Sequence, residues 1–329
     1  MKKLLVLLMV VLLAAPAFGA DMAKAKAEGK ANFYANITAV EPIMEAFNKA
    51  RGVEGVYTRI STSKYLATVV TEFEAGKLAA DVLQGPLPIL QILKDRGVLT
   101  PYTSPSAAGY PDWARADDTI MQFGIEYVAI IYNKELVKAA DVPKTYMELT
   151  DPKWKDKVVM PNPSTHATTI SWLVGLKEMK IFASDDEWMK FVKGLAANRP
   201  MFVASFGPSP APIESGEKLI GISMPKYIIT HAPAPLDWAR VDTILGSPRG
   251  IALAAKAPHP EAGKVFMDYW LSKDAMKLLA DQVGEYVLTP GVFPPIDGID
   301  KVKVRPIREL SDDEIQKWGD EFKKIFEGS

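Results

Sequence analysis

Apolar residues along the first hundred positions switch repeatedly between two spacings. Residues 31–35 (ANFYA) read as a buried strand. Ile43, Met44 and Phe47 then share one face of a helix over 40–50, with Pro42 in its first turn and Gly52 beyond its end. A second strand follows at 55–60. Tyr65, Leu66, Val69, Val70 and Phe73 recur at helical spacing until Gly76 stops them. A short strand at 80–85 leads into a helix through Ile89, Leu90, Ile92 and Leu93 that ends at Gly97. Strand, helix, strand, helix, strand with short connections predicts a parallel, doubly wound α/β lobe.

The rest of the chain repeats this architecture without repeating its sequence. Strands are expected at 126–133, 157–160, 201–205 and 219–223, and helices after the 161–166 loop and over 184–196. A strand and two helices follow over 250–283, and a last helix begins at Ser311. The Ala/Lys-rich stretch 21–30 predicts only a frayed start. No solenoid period appears. Ligands of doubly wound sheets sit outside the carboxyl ends of the strands. Here those ends carry Asn36 and Thr38, then Ser61, Thr62 and Ser63, then Gln84.

The first twenty residues have a different pattern. Lys2 and Lys3 precede the apolar run 4–14, and Ala15-Pro16-Ala17 and Ala17-Phe18-Gly19 both fit a small-x-small cleavage site. This is the layout of a secretory signal peptide over 1–20, too short for a comfortable membrane span. The chain has 0 cysteines, so no disulfide and no lipid-anchored cysteine is available. A free periplasmic monomer is expected. Formal net charge is −1, and about −3 without the two leader lysines. That balance argues against nucleic acid as a partner.

The stretch Ser61-Thr62-Ser63-Lys64 admits two chemistries. Ser-x-x-Lys places a nucleophilic serine beside its base in penicillin-binding enzymes. Hydroxyls at a helix start also hold anions without reacting. The sequence supplies a comparison in SDDE at 184–187 and 311–314, where serine and glutamate form capping boxes. The 61–64 stretch has no returning glutamate, and Lys64 puts a cation at the positive helix end, a conflict that a bound anion would relieve. The competing reading is a solvated lysine on an ordinary serine-capped helix. A penicillin-binding site also needs Ser-x-Asn and Lys-Thr-Gly elements, which are missing, and the 3 histidines form no His-Glu-x-x-His. No catalysis is expected. In the second half, Ser164 or Thr165 is expected to cap a helix with His166 in its first turn; a plain cap with a surface histidine is the alternative. Tyr227, among Pro225 and Lys226, offers a hydroxyl or a packing ring.

The order of ADVLQG, LKDRGVLTPYTSP, VAIIYNKELV, LTDPKWKDKVVMPNPS, SGEKLIGIS, GIALAAKAPHPEAGKVFMDYWLS and GEYVLTPGV resembles the bacterial extracellular solute-binding proteins of ABC importers, in their ferric-binding branch. The resemblance implies a periplasmic-binding-protein-like (type II) fold, two doubly wound lobes joined by crossing strands near 120–130 and 240–250. It implies a first lobe of 31–125 plus 245–292, and a second of 126–244 plus 293–329. It also places Phe206 and Ser209 near the cleft. The iron binders of this branch carry a histidine after the first strand, a glutamate at the third and adjacent tyrosines late in the chain. Here those places hold Ile37 and Thr38, then Gln84, then Tyr227 followed by Ile228. Neutral amide and hydroxyl groups are poor ligands for bare ferric ion.

The reading is therefore a binding protein that takes a small anionic solute, a phosphate ester, phosphonate or carboxylate, and passes it to an ABC permease and its ATPase. Asn36, Thr38, Ser61, Thr62, Ser63, Gln84, Ser164, Thr165, His166, Phe206, Ser209 and Tyr227 are the candidate contacts, with Lys64 or Lys226 as charge partner. No cofactor is expected. A ferric complex using Tyr227 and ligand-supplied oxygens is the main rival. A sugar site is a further one, although Trp172, Trp188, Trp270 and Trp318 fall on helices and read as core.

Overall fold

A computed structural model describes residues 19–115, 117–308 and 310–328. The charged and apolar segments of the expected signal peptide lie outside the described residues. The first element among the described residues is α1 (Met22–Glu28), a capped helix where fraying was expected. Asp21 caps its N-terminus, accepting the N–H groups of Ala23 and Lys24, and Gly29 closes it in the left-handed conformation. With only Ala25 buried on its own face, this helix is stabilised by packing on a partner far along the chain.

The alternation expected for the first lobe is present. In order come β1 (Lys30–Ala35), α2 (Glu41–Arg51), β2 (Glu54–Arg59), α3 (Thr62–Glu74), β3 (Val82–Pro86), α4 (Leu87–Asp95) and the short β4 (Leu99–Thr100). Strand β1 lies between β2 and β3 and is parallel to both, with Phe33 opposite Tyr57 and Val82. The chain then runs into β5 (Met121–Asn133), which starts five residues before its long apolar run and so reaches beyond the 126–133 expected.

The second lobe follows with β6 (Val158–Pro161), α5 (Ala167–Glu178), α6 (Asp185–Ala197), β7 (Met201–Val203), α7 (Pro210–Glu214), β8 (Ile220–Ser223), α8 (Tyr227–Thr230) and β9 (Leu236–Trp238). Strands β8, β6 and β7 are parallel neighbours. The long β10 (Thr243–Ala254) returns antiparallel to β5. After it come α9 (Pro260–Trp270), α10 (Lys273–Leu278), a π-helical turn over Leu279–Val283, β11 (Tyr286–Val287), β12 (Lys303–Pro306) and α11 (Asp312–Phe326).

The strand order β2-β1-β3-β10-β5-β8-β6-β7 shows how the lobes join. The second half of β10 pairs with β3, and the second half of β5 pairs with β8. Between them, Leu245–Arg249 and Gly124–Val128 face each other. Each long strand thus belongs to the sheet of one lobe at one end and crosses to the other strand at its middle. This is the type II arrangement of two α/β lobes on two crossing strands.

Each lobe is anchored by aromatic rings. Phe33 lies 4.8 Å from Phe266 and 4.9 Å from Trp270, centroid to centroid. In the second lobe Trp172 meets Tyr146 edge-on at 5.7 Å. Trp172, Trp188 and Trp270 are fully buried, as expected for core residues. The capping boxes differ in detail. Ser311 and Glu314 exchange both cap bonds, whereas Glu187 turns its carboxylate to Ala183 instead of Ser184.

Candidate functional site

The carboxyl ends of β1, β2 and β3 converge on one edge. The loop after β1 is held from both sides. Gln84 accepts the Ile37 N–H at 3.2 Å, and Tyr57 donates its hydroxyl to the Ile37 carbonyl. Gln84 is fully buried, so its carbonyl serves the loop, while its Nε2 has no protein partner. Thr38 is exposed on that loop.

Asn36 is the connecting residue. Its amide donates to Thr62 Oγ1 at 3.0 Å, and its carbonyl faces Arg249 Nη1 at 3.5 Å. Ser61 occupies the N-cap of α3, and Thr62 and Ser63 form its first turn. Ser61 and Thr62 are exposed, and through Asn36 this turn reaches the strand that crosses between lobes. Lys64 is exposed on the same turn and takes no part in the cluster described next.

Arg249 lies on β10 where its register with β5 shifts between Arg249 and Gly250. A bulge of this kind re-aims a side chain. The guanidinium is 5% exposed and is held by two carboxylates: Nη2 is 3.1 Å from Glu126 on β5, and Nε is 3.2 Å from Glu285. The second contact has ion-pair distance without hydrogen-bond geometry. Glu285 is 1% exposed and also receives Lys226 Nζ at 3.3 Å. Burial works against both charged forms, yet the carboxylates keep Arg249 above its ordinary value, and Arg249 and Lys226 keep Glu285 below the usual carboxylate range. Two cations and two carboxylates thus balance at the crossing.

The local backbone makes this contact possible. Gly284 has φ +72°, and a Cβ there would stand 2.8 Å from the Lys226 Cα. Only glycine lets the turn before Glu285 come so close to the start of α8. Tyr127 fixes the same turn by donating to the Gly284 carbonyl at 2.8 Å.

His166 and Tyr227 flank the cluster from the second lobe. His166 is itself the N-cap of α5, not a first-turn residue: its Nδ1 accepts the Thr169 N–H at 3.3 Å. An imidazole that accepts through Nδ1 carries its proton on Nε2. Burial holds its pKa below the ordinary value, while Glu126 pulls the other way. Phe206 is 3% exposed and meets the His166 ring edge-on at 5.1 Å. Burial pushes the Tyr227 phenol up, and Glu126 and Glu285 add to the effect.

Other expected contacts lie elsewhere. Ser209 is fully buried, donates to the Phe206 carbonyl at 2.7 Å and shares a 2.6 Å hydrogen bond with Ser223, so it belongs to packing. Ser164 donates to Glu327 at 2.7 Å and is tied to the C-terminal helix; it does not cap α5. Thr165 is exposed beside it and does not cap either. Among the described residues no group of three or more His, Cys, Asp and Glu side chains is placed to hold a metal ion.

Arg249, Glu126 and Glu285 were missed from the sequence. Arg249 is the one charged residue in TILGSPRGIALA, and Glu126 the one in MQFGIEYVAIIYN. A lone charge within a buried strand was the available signal, since such a charge needs a partner.

Two α/β lobes on crossing strands, with polar groups from both gathered at the crossing, are the architecture of a periplasmic-binding-protein-like fold. The chain belongs to the bacterial extracellular solute-binding protein family, whose profile matches residues 42–306. It is 26% identical over 245 residues to a putative 2-aminoethylphosphonate-binding periplasmic protein of Salmonella typhimurium, covering 72% of this chain and 70% of that one. It is 26% identical over 247 residues to iron uptake protein A1 of Synechocystis, covering 67% and 64%. Among solved structures, the substrate-binding protein of an ABC transporter from Agrobacterium tumefaciens superposes with a TM-score of 0.74 at 16% identity, covering 91% and 96% of the two chains. Iron-bound HitA from Pseudomonas aeruginosa superposes at 0.69 with 17% identity, covering 91% and 98%. No helix among the described residues is long and apolar enough to cross a membrane.

Proposed function

We propose that the protein captures a small oxyanion between its lobes in the periplasm and delivers it to an ABC permease without chemical change. The observation that carries this reading is Asn36, which bonds Thr62 at the start of α3 and faces Arg249 on the crossing strand. An anion seated there meets the positive helix end and a guanidinium together. Ser61 and Thr62 lie on the first lobe's side, with His166 and Tyr227 on the other. Lobe boundaries of 31–125 plus 245–292, and 126–244 plus 293–329, fit this division. The protein acts as a monomer, freed of its signal peptide.

The balanced charge of the crossing narrows the solute class. Two carboxylates already answer Arg249 and Lys226, so a bare dianion gains little net attraction. Glu126, 22% exposed, adds a place for an ammonium on the same solute. An aminoalkylphosphonate, the ligand class in the Salmonella relative's description, uses both charges. Closure follows from contacts made by both lobes, because only a difference in affinity between open and closed states shifts their populations.

Titration calorimetry and thermal shift against 2-aminoethylphosphonate, phosphoethanolamine, phosphate, acetate and ferric citrate test the proposal. Aminophosphonate at 100 times its dissociation constant is expected to add about 2.7 kcal/mol. Thr62→Ala is expected to weaken binding about tenfold, or about 1.4 kcal/mol. A shift with ferric citrate alone, with a coloured complex, would replace this reading with iron uptake through Tyr227.

A further inference from the structure

A separate feature lies where the start of the described chain packs on α9. Asp268 is half-buried, and its charge is met by hydroxyls: Ser104 donates to Oδ1 at 2.6 Å and Tyr102 at 2.8 Å. The backbone N–H of Ala20 lies beside this carboxylate and favours its charged form. About two turns away on the same helix, Glu261 accepts the N–H of Asp21 at 2.9 Å, and Asp21 in turn caps α1. The backbone nitrogen at 21 is thus held by one carboxylate of α9, and that at 20 lies beside another. The surrounding charges are Glu261, Asp21, Lys24 and Lys264 near this end, and Arg51 near Asp268. Burial pushes the Asp268 carboxyl up, and its neutral donors and Arg51 do not fully offset it. A carboxylate in that condition would be relieved by a cation.

We infer that the leader is removed between Gly19 and Ala20, and that the new α-ammonium of Ala20 docks on Asp268 as a structural ion pair. Ala17 and Gly19 are the small residues that such a cut requires at the third and first places before the bond. Hydrolysis by a leader peptidase adds one water across the peptide bond. Gly19 leaves with a carboxylate, and Ala20 keeps its nitrogen as an ammonium. The amide beside Asp268 becomes a charged group with three donors at the same position. Maturation thereby adds a cation in direct contact with Asp268, on which only the more distant charge of Arg51 acts in the precursor, and fixes α1 against α9. This inference rests on the secretion reading, but not on the identity of the solute.

The test begins with export of the full precursor from a bacterium and intact-mass analysis of the product, which is expected to start at Ala20. The Ala20 α-amino pKa, followed by 15N NMR, is expected above its ordinary range of about 7.7–8.0. A chain retaining Gly19 is expected to unfold at lower denaturant than the chain starting at Ala20, and Asp268→Asn is expected to remove that difference. A product starting at another residue overturns the inference, as does an ordinary α-amino pKa or an undiminished difference in Asp268→Asn. Should Asp268→Asn fail to fold, the mass and the wild-type pKa decide alone. Failure of aminophosphonate binding would leave all these readouts unaffected.

Discussion

Replacing Arg249 by methionine tests the electrostatic reading of the crossing strands most directly. The substitution keeps an unbranched apolar stem and removes the charge that Glu126 and Glu285 face at 3.1 and 3.2 Å. Glu285, at 1% exposure, retains only Lys226 at 3.3 Å. Leaving a buried charge without its partner costs about 3–5 kcal/mol. The surviving lysine places the expected loss near the lower end, about 3 kcal/mol. The pH dependence carries a sign that simple loss of packing does not share. In the native protein Glu285 has a lowered pKa, so its contribution is present above the unfolded value and is lost as pH falls through the folded one. Without Arg249, burial dominates and raises that pKa. The carboxyl then favours folding at low pH and opposes it as pH rises through the new value. Denaturant unfolding of native protein and Arg249→Met at about pH 5 and pH 8 should show the smaller penalty at pH 5. Adding Glu285→Gln to Arg249→Met should recover at least about 1 kcal/mol, because neighbours in one ion-pair network are coupled. A penalty under about 1 kcal/mol at both pH values, or no recovery in the double variant, would refute the argument.

Two further outcomes follow from side chains with defined partners. Ser209→Ala leaves the buried Ser223 hydroxyl without its 2.6 Å partner and should cost about 1–3 kcal/mol in chemical unfolding, with solute affinity unchanged by calorimetry. His166→Asn supplies an equally good N-cap without a titrating ring. Since burial lowers the His166 pKa, the native protein should lose stability as pH falls below about 6.5, where the unfolded ring gains its proton. The asparagine variant should show a flatter profile over pH 5–7 in unfolding midpoints.

The first lobe was legible because its signals are local. Ile43, Met44 and Phe47 are buried on one face of α2 as their spacing required, and Gly52 ends that helix in the left-handed conformation. Helix α1 was illegible because its apolar face buries only Ala25; its order comes from α9, more than two hundred residues away. The same division holds at the site. Asn36 and Thr62 were expected on one edge because strand ends in such sheets are predictable positions, and their side chains meet there at 3.0 Å. Arg249, Glu126 and Glu285 come from three separate segments, and their meeting depends on the β5–β10 register, the bulge after Arg249 and the left-handed Gly284. No windowed pattern encodes that meeting. Ser209 and Ser164 misled because a hydroxyl in a Pro-rich loop looks alike whether it faces a ligand or bonds its own chain, as these two do.

Arg249 and Glu126 sit on the pivot, not on the jaws. A group at a fulcrum travels least when the two halves swing, so its position is shared by the open and shut forms. A solute that lands there first is tethered before either half has moved, and the jaws then add contacts around a guest already in place. Under the proposed function, recognition and enclosure become separate events in time, with the first governed by fixed charges and the second by the reach of Thr62 and His166.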